Sequence, residues 1–289
     1  MFAIIKVPHW TIEGGRSLSN EKKLNKEAMR VLKETSRTFY IPIKLLKPTL
    51  RKTVGSAYLC MRAIDEIEDH ETLDASVKVE LLQTIRDMLK QPFDRDGYEQ
   101  LLRPYASKLP EVTLRMDDWL KFCPGEIVDK VKESTSIMAS GMAKWVEKDF
   151  QVHTKEDLDE YTYYVAGLVG VMLSDIWEWY DGTQTDRELA IGYGRGLQAV
   201  NMLRNQEEDL ERGVQFIPDG WNRDDMFVYA EQNLEKAKQY IEMIDTRNIL
   251  LFCKIPYALA EKTLSAMRSG KEKMSRKEVE TTVDQIINE

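Results

Sequence analysis

From about Asn25 to the end of the chain, apolar residues recur at steps of three and four over long stretches without glycine or proline. This period is that of helices burying one face, and no segment shows the strict alternation of a strand. Breaks fall at Pro42, Pro48, Pro92, Pro104, Pro110, Pro124-Gly125, Gly182, Pro218, Gly220 and Gly270. They leave about nine helical blocks. No low-complexity tract or solenoid-length repeat interrupts them. The pattern predicts an all-α, single-domain protein over residues 23–289. Residues 1–22, with Gly14-Gly15 and mixed polarity, read as a flexible leader. The glycines of "GYGRG" (192–196) lie inside a helical pattern and follow no predicted strand, which argues against a dinucleotide loop.

Two helical blocks break the usual division into a greasy and a wet face. In "VGSAYLCMRAI" (54–64) only Ser56, Tyr58 and Arg62 are polar, so the block reads as an internal helix. Tyr58, Arg62, Asp65 and Asp69 follow at steps of four, three and four, which puts them on one face. Far downstream, "LQAVNMLRNQEEDLERG" places Gln198, Asn201, Asn205, Asp209 and Arg212 at steps of three, four, four and three. A single DxxxD is most often a solvated acidic face. Two such rows on apolar helices, each with arginines in register, point instead to a shared centre.

If the rows face each other, Asp65, Asp69 and Asp209 converge, with Glu68 and Glu208 alongside. Buried unpaired carboxylates cost several kcal/mol each, on the order of a fold's whole margin. Converging carboxylates therefore call for cations, and oxygen donors with room for water and phosphate suit Mg²⁺. Arg37, Arg62, Arg204 and Arg212 supply guanidinium forks that match a phosphate group.

Composition narrows the partners. With 43% hydrophobic and 31% charged residues, the chain has the balance of a globular protein. Its formal charge of −8 argues against nucleic-acid binding. Cys60, Cys123 and Cys253 fit no metal-ligand spacing and read as reduced thiols in a cytoplasmic protein. No stretch approaches the roughly 20 apolar residues of a membrane span, so membrane contact is expected to be peripheral at most.

Over residues 25–280 the chain resembles the squalene/phytoene synthase family, whose members join two prenyl diphosphates head to head in an all-helical cavity. "ETSRTFYIPI" (34–43) is similar to the family's early diphosphate-binding segment, through Ser36, Arg37 and Phe39. "AYLCMRAIDEIEDH" and "LQAVNMLRNQEEDLERGVQFIP" resemble its two aspartate-rich motifs. "IMASGMAKWV" (137–146), "YYVAGLVGVMLSDIW" (163–177) and "KIPYALAEKTL" (254–264) resemble its central and closing helices. The resemblance implies an isoprenoid-synthase-type bundle around an apolar cavity, with a prenyl diphosphate as substrate and two or three Mg²⁺ ions. It also implies Asp65, Asp69, Asn205 and Asp209 as metal ligands. Ser36, Arg37, Tyr58, Arg62, Gln198, Asn201, Arg204 and Arg212 would meet the diphosphate. Tyr164 would lend a hydroxyl to the diphosphate or to a departing proton, and Ala166, Gly167 and Gly170 would let a backbone or a prenyl chain approach.

One position departs from the family. Asn205 stands where the second motif expects aspartate, and an amide oxygen brings no negative charge to a cation. Coupling must hold two diphosphates, so a weakened metal cluster harms it more than a single cleavage. The expectation is therefore a Mg²⁺-dependent hydrolase (phosphatase) that turns farnesyl diphosphate into farnesol. The alternatives are head-to-head condensation to squalene, dehydrosqualene or phytoene, and a non-catalytic prenyl-diphosphate binder. Hydrolysis needs no NADPH, whereas reductive squalene formation would, with Lys271, Lys273 and Arg276 as candidate phosphate contacts.

Overall fold

The computed structural model describes residues 13–289 except Arg37, Arg212, Glu272 and Lys273. Among these residues there are helices and no strands. The first half comprises α1 (Glu13–Thr35), α2 (Tyr40–Leu45), α3 (Pro48–Glu68), α4 (Ala75–Leu89), α5 (Arg95–Leu102), α6 (Glu111–Leu114) and α7 (Met116–Phe122). The second comprises α8 (Val128–Glu147), α9 (Lys155–Thr162), α10 (Leu168–Asp181), α11 (Arg187–Glu211), α12 (Arg223–Glu242), α13 (Arg247–Arg268) and α14 (Arg276–Asn288). A π-helical turn, Tyr163–Gly167, joins α9 to α10.

Local chemistry sets several of these boundaries. Pro48 occupies the first turn of α3, where its missing N–H costs nothing. Capping boxes start α9 (Thr154 with Asp157), α12 (Asn222 with Asp225) and α14 (Ser275 with Glu278). Gly182, at φ 79°, ends α10 in the left-handed conformation.

As its composition implies, α3 is central. Leu50, Leu59, Ile64 and Ile67 are fully buried, each worth about 1.5–3 kcal/mol of apolar transfer. The polar groups at this interface are satisfied. Ser56 Oγ donates to the Trp119 carbonyl at 2.7 Å, and Thr113 Oγ1 donates to the Ala63 carbonyl at 3.1 Å.

Of the two glycines expected to admit a backbone or a prenyl chain, Gly170 admits a backbone, whereas Gly167 first meets the Ile191 side chain at 3.1 Å. A Cβ at Gly170 would lie 1.9 Å from the Ala190 carbonyl oxygen, and one at Gly194 would lie 2.0 Å from that of Ala166. The π turn and α10 thus press onto α11. On the opposite side of α11, Gly192 and Gly196 meet Lys236 and Leu234 of α12. The "GYGRG" glycines are therefore helix-packing residues.

Most of the apolar interior falls into two clusters, beside a small third one of Ile255, Val283 and Ile286. One cluster is built on α1–α8, α10 and parts of α11–α13; the other gathers Trp145 and Tyr161 with the second half of α11, α12 and the end of α13. Phe150, Val165, Leu197 and Tyr257 border both clusters and are only partly buried. No described helix is long and apolar enough to cross a membrane. All three cysteines are buried free thiols.

Part of the expected leader is helical. Residues 13–22 belong to α1. Glu21 pairs with Lys52 of α3, and Leu24 packs on the first apolar cluster, which gives the helix a tertiary anchor. Residues 1–12 lie outside the described residues.

Candidate functional site

The last turn of α3 gathers three carboxylates. Asp65, Glu68 and Asp69 each offer an oxygen, and these atoms lie within 4.8 Å of one another. Glu68 is only 3% exposed, and its Oε1 is buried with no hydrogen-bond partner among the described residues. Burial, then the Asp69 charge, pushes the Asp65 carboxyl up to about 7, against the pull of Arg62. Glu68 is raised well above the usual carboxylate range, first by burial and then by Asp69 and Asp65. A donor set of three oxygens, one of them orphaned in the interior, fits a hard divalent cation.

Arg62 lies beside this group, bonded to Asp65 at 2.5 Å and to Glu66 at 2.6 Å. It therefore holds two carboxylates of its own helix. Ser36 and Tyr58 brace the turn after α1. Ser36 Oγ accepts from the Phe39 N–H at 2.9 Å, and the Tyr58 hydroxyl donates to the Thr35 carbonyl at 2.8 Å. Arg37, in that turn, lies outside the described residues.

The second row runs along α11. Asp209 is 8% exposed, and Gln198 and Asn205 are half-buried. Asn201 and Arg204 are exposed, and Arg204 Nε donates to the Asn205 Oδ1 at 3.2 Å. Glu208, expected beside the aspartates, is exposed instead, because one residue along a helix turns the side chain by about 100° from Asp209. Arg212 lies outside the described residues. Asp209 lines a cavity of about 230 Å³ together with Phe216, Trp221 and Met226. A larger groove of about 1040 Å³ runs between α4 and α8, and it touches none of the expected site residues.

Tyr161 joins the two rows. Its phenol is raised well above the ordinary tyrosine value, first by burial and then by the charges of Glu68, Asp69, Asp65 and Asp209. The ring stacks on Phe216 (4.7 Å, 20° between planes) and meets Trp145 edge-on at 5.4 Å. The residue named from the sequence is Tyr164, in the π turn that follows α9. The Tyr164 ring lies over Gly141 of α8, where a Cβ would come within 2.0 Å of its Cγ.

The family model described as squalene/phytoene synthase matches residues 32–226. The chain is 29% identical over 277 residues to squalene synthase of Rattus norvegicus, covering 86% of this chain and 64% of that protein. Against squalene synthase of Homo sapiens it is 28% identical over 268 residues, covering 83% and 63%. It thus spans less than two thirds of the length of these relatives. The fold is similar to that of TcSQS with the ligand E5700 (TM-score 0.75, 21% identity, 91% of this chain and 86% of that one). It is also similar to a dehydrosqualene synthase in complex with ligand (TM-score 0.64, 19% identity, 93% and 97%). The chain belongs to the squalene/phytoene synthase family, and its all-α, single-domain architecture is of the isoprenoid-synthase type.

Proposed function

We propose that the protein is a prenyltransferase that condenses two allylic prenyl diphosphates head to head. Family membership supports this reading over the farnesol-forming hydrolase that Asn205 suggested. The observation that carries it is the cluster of Asp65, Glu68 and Asp69 at the end of α3, in a chain that belongs to this family. Coupling demands two acidic rows acting on one space.

Asp65, Glu68 and Asp69 would hold a divalent cation such as Mg²⁺, with Asp209 and the Asn205 amide completing the opposite side. When bound, the cation supplies positive charge that stabilises a departing diphosphate. Tyr161 keeps its proton against four carboxylates, which makes it a neutral hydroxyl donor beside the leaving group. Arg62 stands by to exchange a carboxylate partner for a phosphate oxygen, a bidentate match of similar geometry. Val165, Leu197 and Tyr257, partly buried against both of the larger apolar clusters, would meet the prenyl chains. An apolar surround keeps water from the allylic cation, so the second chain's double bond captures it. Ring closure then frees one proton. The donor's diphosphate has already left as the cation formed, and the acceptor keeps its own until the cyclopropyl intermediate is ionised in turn.

The test is product analysis after incubation with farnesyl or geranylgeranyl diphosphate and Mg²⁺, with and without NADPH. A C30 or C40 hydrocarbon, or its cyclopropyl diphosphate precursor, is expected. Prenyl alcohol as the main product would return the assignment to hydrolysis. Binding without turnover would make the chain a prenyl-diphosphate binder.

A further inference from the structure

Lys78 occupies the fourth position of α4, where its amide N donates to the Asp74 carbonyl at 3.0 Å. A cation near the start of a helix runs against the helix dipole, so local propensity does not account for it. Its ammonium crosses back over the 70–74 turn and donates to the Glu68 carbonyl at 2.7 Å. That carbonyl belongs to the last residue of α3. Within the same turn the Asp65 carbonyl accepts from Asp69 N at 2.9 Å, and the Ile67 carbonyl accepts from His70 N at 3.4 Å. Lys78 thus engages a helix-end carbonyl that α3 itself leaves without an intrahelical partner. The residues held in this way, Glu68 and Asp69, supply two of the three clustered carboxylates, and Glu68 carries the orphaned oxygen.

We propose that Lys78 is a positioning residue for the cation site: through the Glu68 carbonyl it fixes the last turn of α3 and so sets the separation of the three carboxylates. This rests on the cation reading given above. Charge and position predict opposite effects, which makes the role decidable. As a bare positive charge Lys78 repels a divalent cation, so its removal would tighten binding. As a brace it orders the ligands, so its removal loosens binding, as losses of outer-sphere support commonly do.

The experiment measures Mn²⁺ binding to the full chain without prenyl substrate, by the electron paramagnetic resonance signal of free Mn²⁺. Lys78→Gln, Lys78→Arg and Asp65→Asn are compared with the parent, each checked by circular dichroism. Lys78→Gln is expected to weaken binding about tenfold. Lys78→Arg, which can reach the same carbonyl, is expected to restore it to within about twofold of the parent. Amide exchange at Asp69 and His70 should quicken in Lys78→Gln alone. Unchanged or tighter binding in Lys78→Gln, no recovery in Lys78→Arg, or a Lys78→Gln chain that does not fold would overturn the proposal. Asp65→Asn separates the two levels. If it binds Mn²⁺ as the parent does, the cation reading itself fails; if it loses binding while Lys78→Gln keeps it, only the role of Lys78 fails.

Discussion

The Tyr161 and Phe216 rings stack with centroids 4.7 Å apart, and the phenol at the edge of that stack feels carboxylates from both α3 and α11. Tyr161→Phe keeps the ring and therefore the stack, removing only the hydroxyl. Its melting temperature should match the parent's, while turnover of prenyl diphosphate falls on the order of 100-fold. Steady-state kinetics beside a thermal melt check this; full activity would remove Tyr161 from the chemistry.

The Asp65 carboxyl, raised to about 7, makes the metal-free protein sensitive to pH. A carboxyl raised above its unfolded value of 3.8 contributes stability that is fully present below that value and lost as pH rises through about 7. The difference in melting temperature between parent and Asp65→Asn should therefore shift against the parent from pH 4 to pH 8, by roughly this linkage. Millimolar Mg²⁺ should cancel the shift at the alkaline end. Parallel pH profiles for the two proteins would contradict the burial of that charge.

Asn205→Asp restores a negative charge to the second row. It is expected to lower the Mg²⁺ concentration for half-maximal activity about fivefold, the effect of one more screened charge near the ion. It should also raise the ratio of coupled hydrocarbon to prenyl alcohol, read by gas chromatography and mass spectrometry. An unchanged ratio would show that the departure from aspartate has no bearing on the product.

Packing of α11 against the π turn predicts a stability effect without chemistry. Gly194→Ala would set a Cβ 2.0 Å from the Ala166 carbonyl oxygen, an overpacking cost of about 1–3 kcal/mol or more. Gly125→Ala, with nothing within 4 Å of the new carbon, should be near neutral. Chemical denaturation of the two variants checks the contrast.

The helical architecture and the acidic cluster of α3 were legible because they rest on i, i+3 and i, i+4 spacing. The burial of α3 followed from its apolar residues around the whole circumference. Tyr161 was not legible, because it lies on α9 and no local spacing links it to either acidic row. Five residues, Tyr163–Gly167, wind wider than an α-helix, so a face traced at 3.6 residues per turn does not continue across them. The resemblance pointed to Tyr164, which lies within this π turn with its ring over Gly141. The brace from Lys78 to the Glu68 carbonyl was equally hidden, since a contact across the 70–74 turn leaves no periodic trace. Glu208 shows the opposite failure: an acidic residue beside a motif aspartate in sequence faces solvent one helical step away.

The central claim is that the α3 and α11 carboxylates serve one diphosphate together. A double-mutant cycle on Asp65→Asn and Asp209→Asn tests it, with the readout being Mg²⁺-dependent binding of a non-ionising thiolo analogue of farnesyl diphosphate, measured calorimetrically. If the rows share the ligand, the two losses are not additive and the coupling exceeds about 1 kcal/mol. Losses that add to within about 0.5 kcal/mol would mean that the rows act apart, and the account would fail.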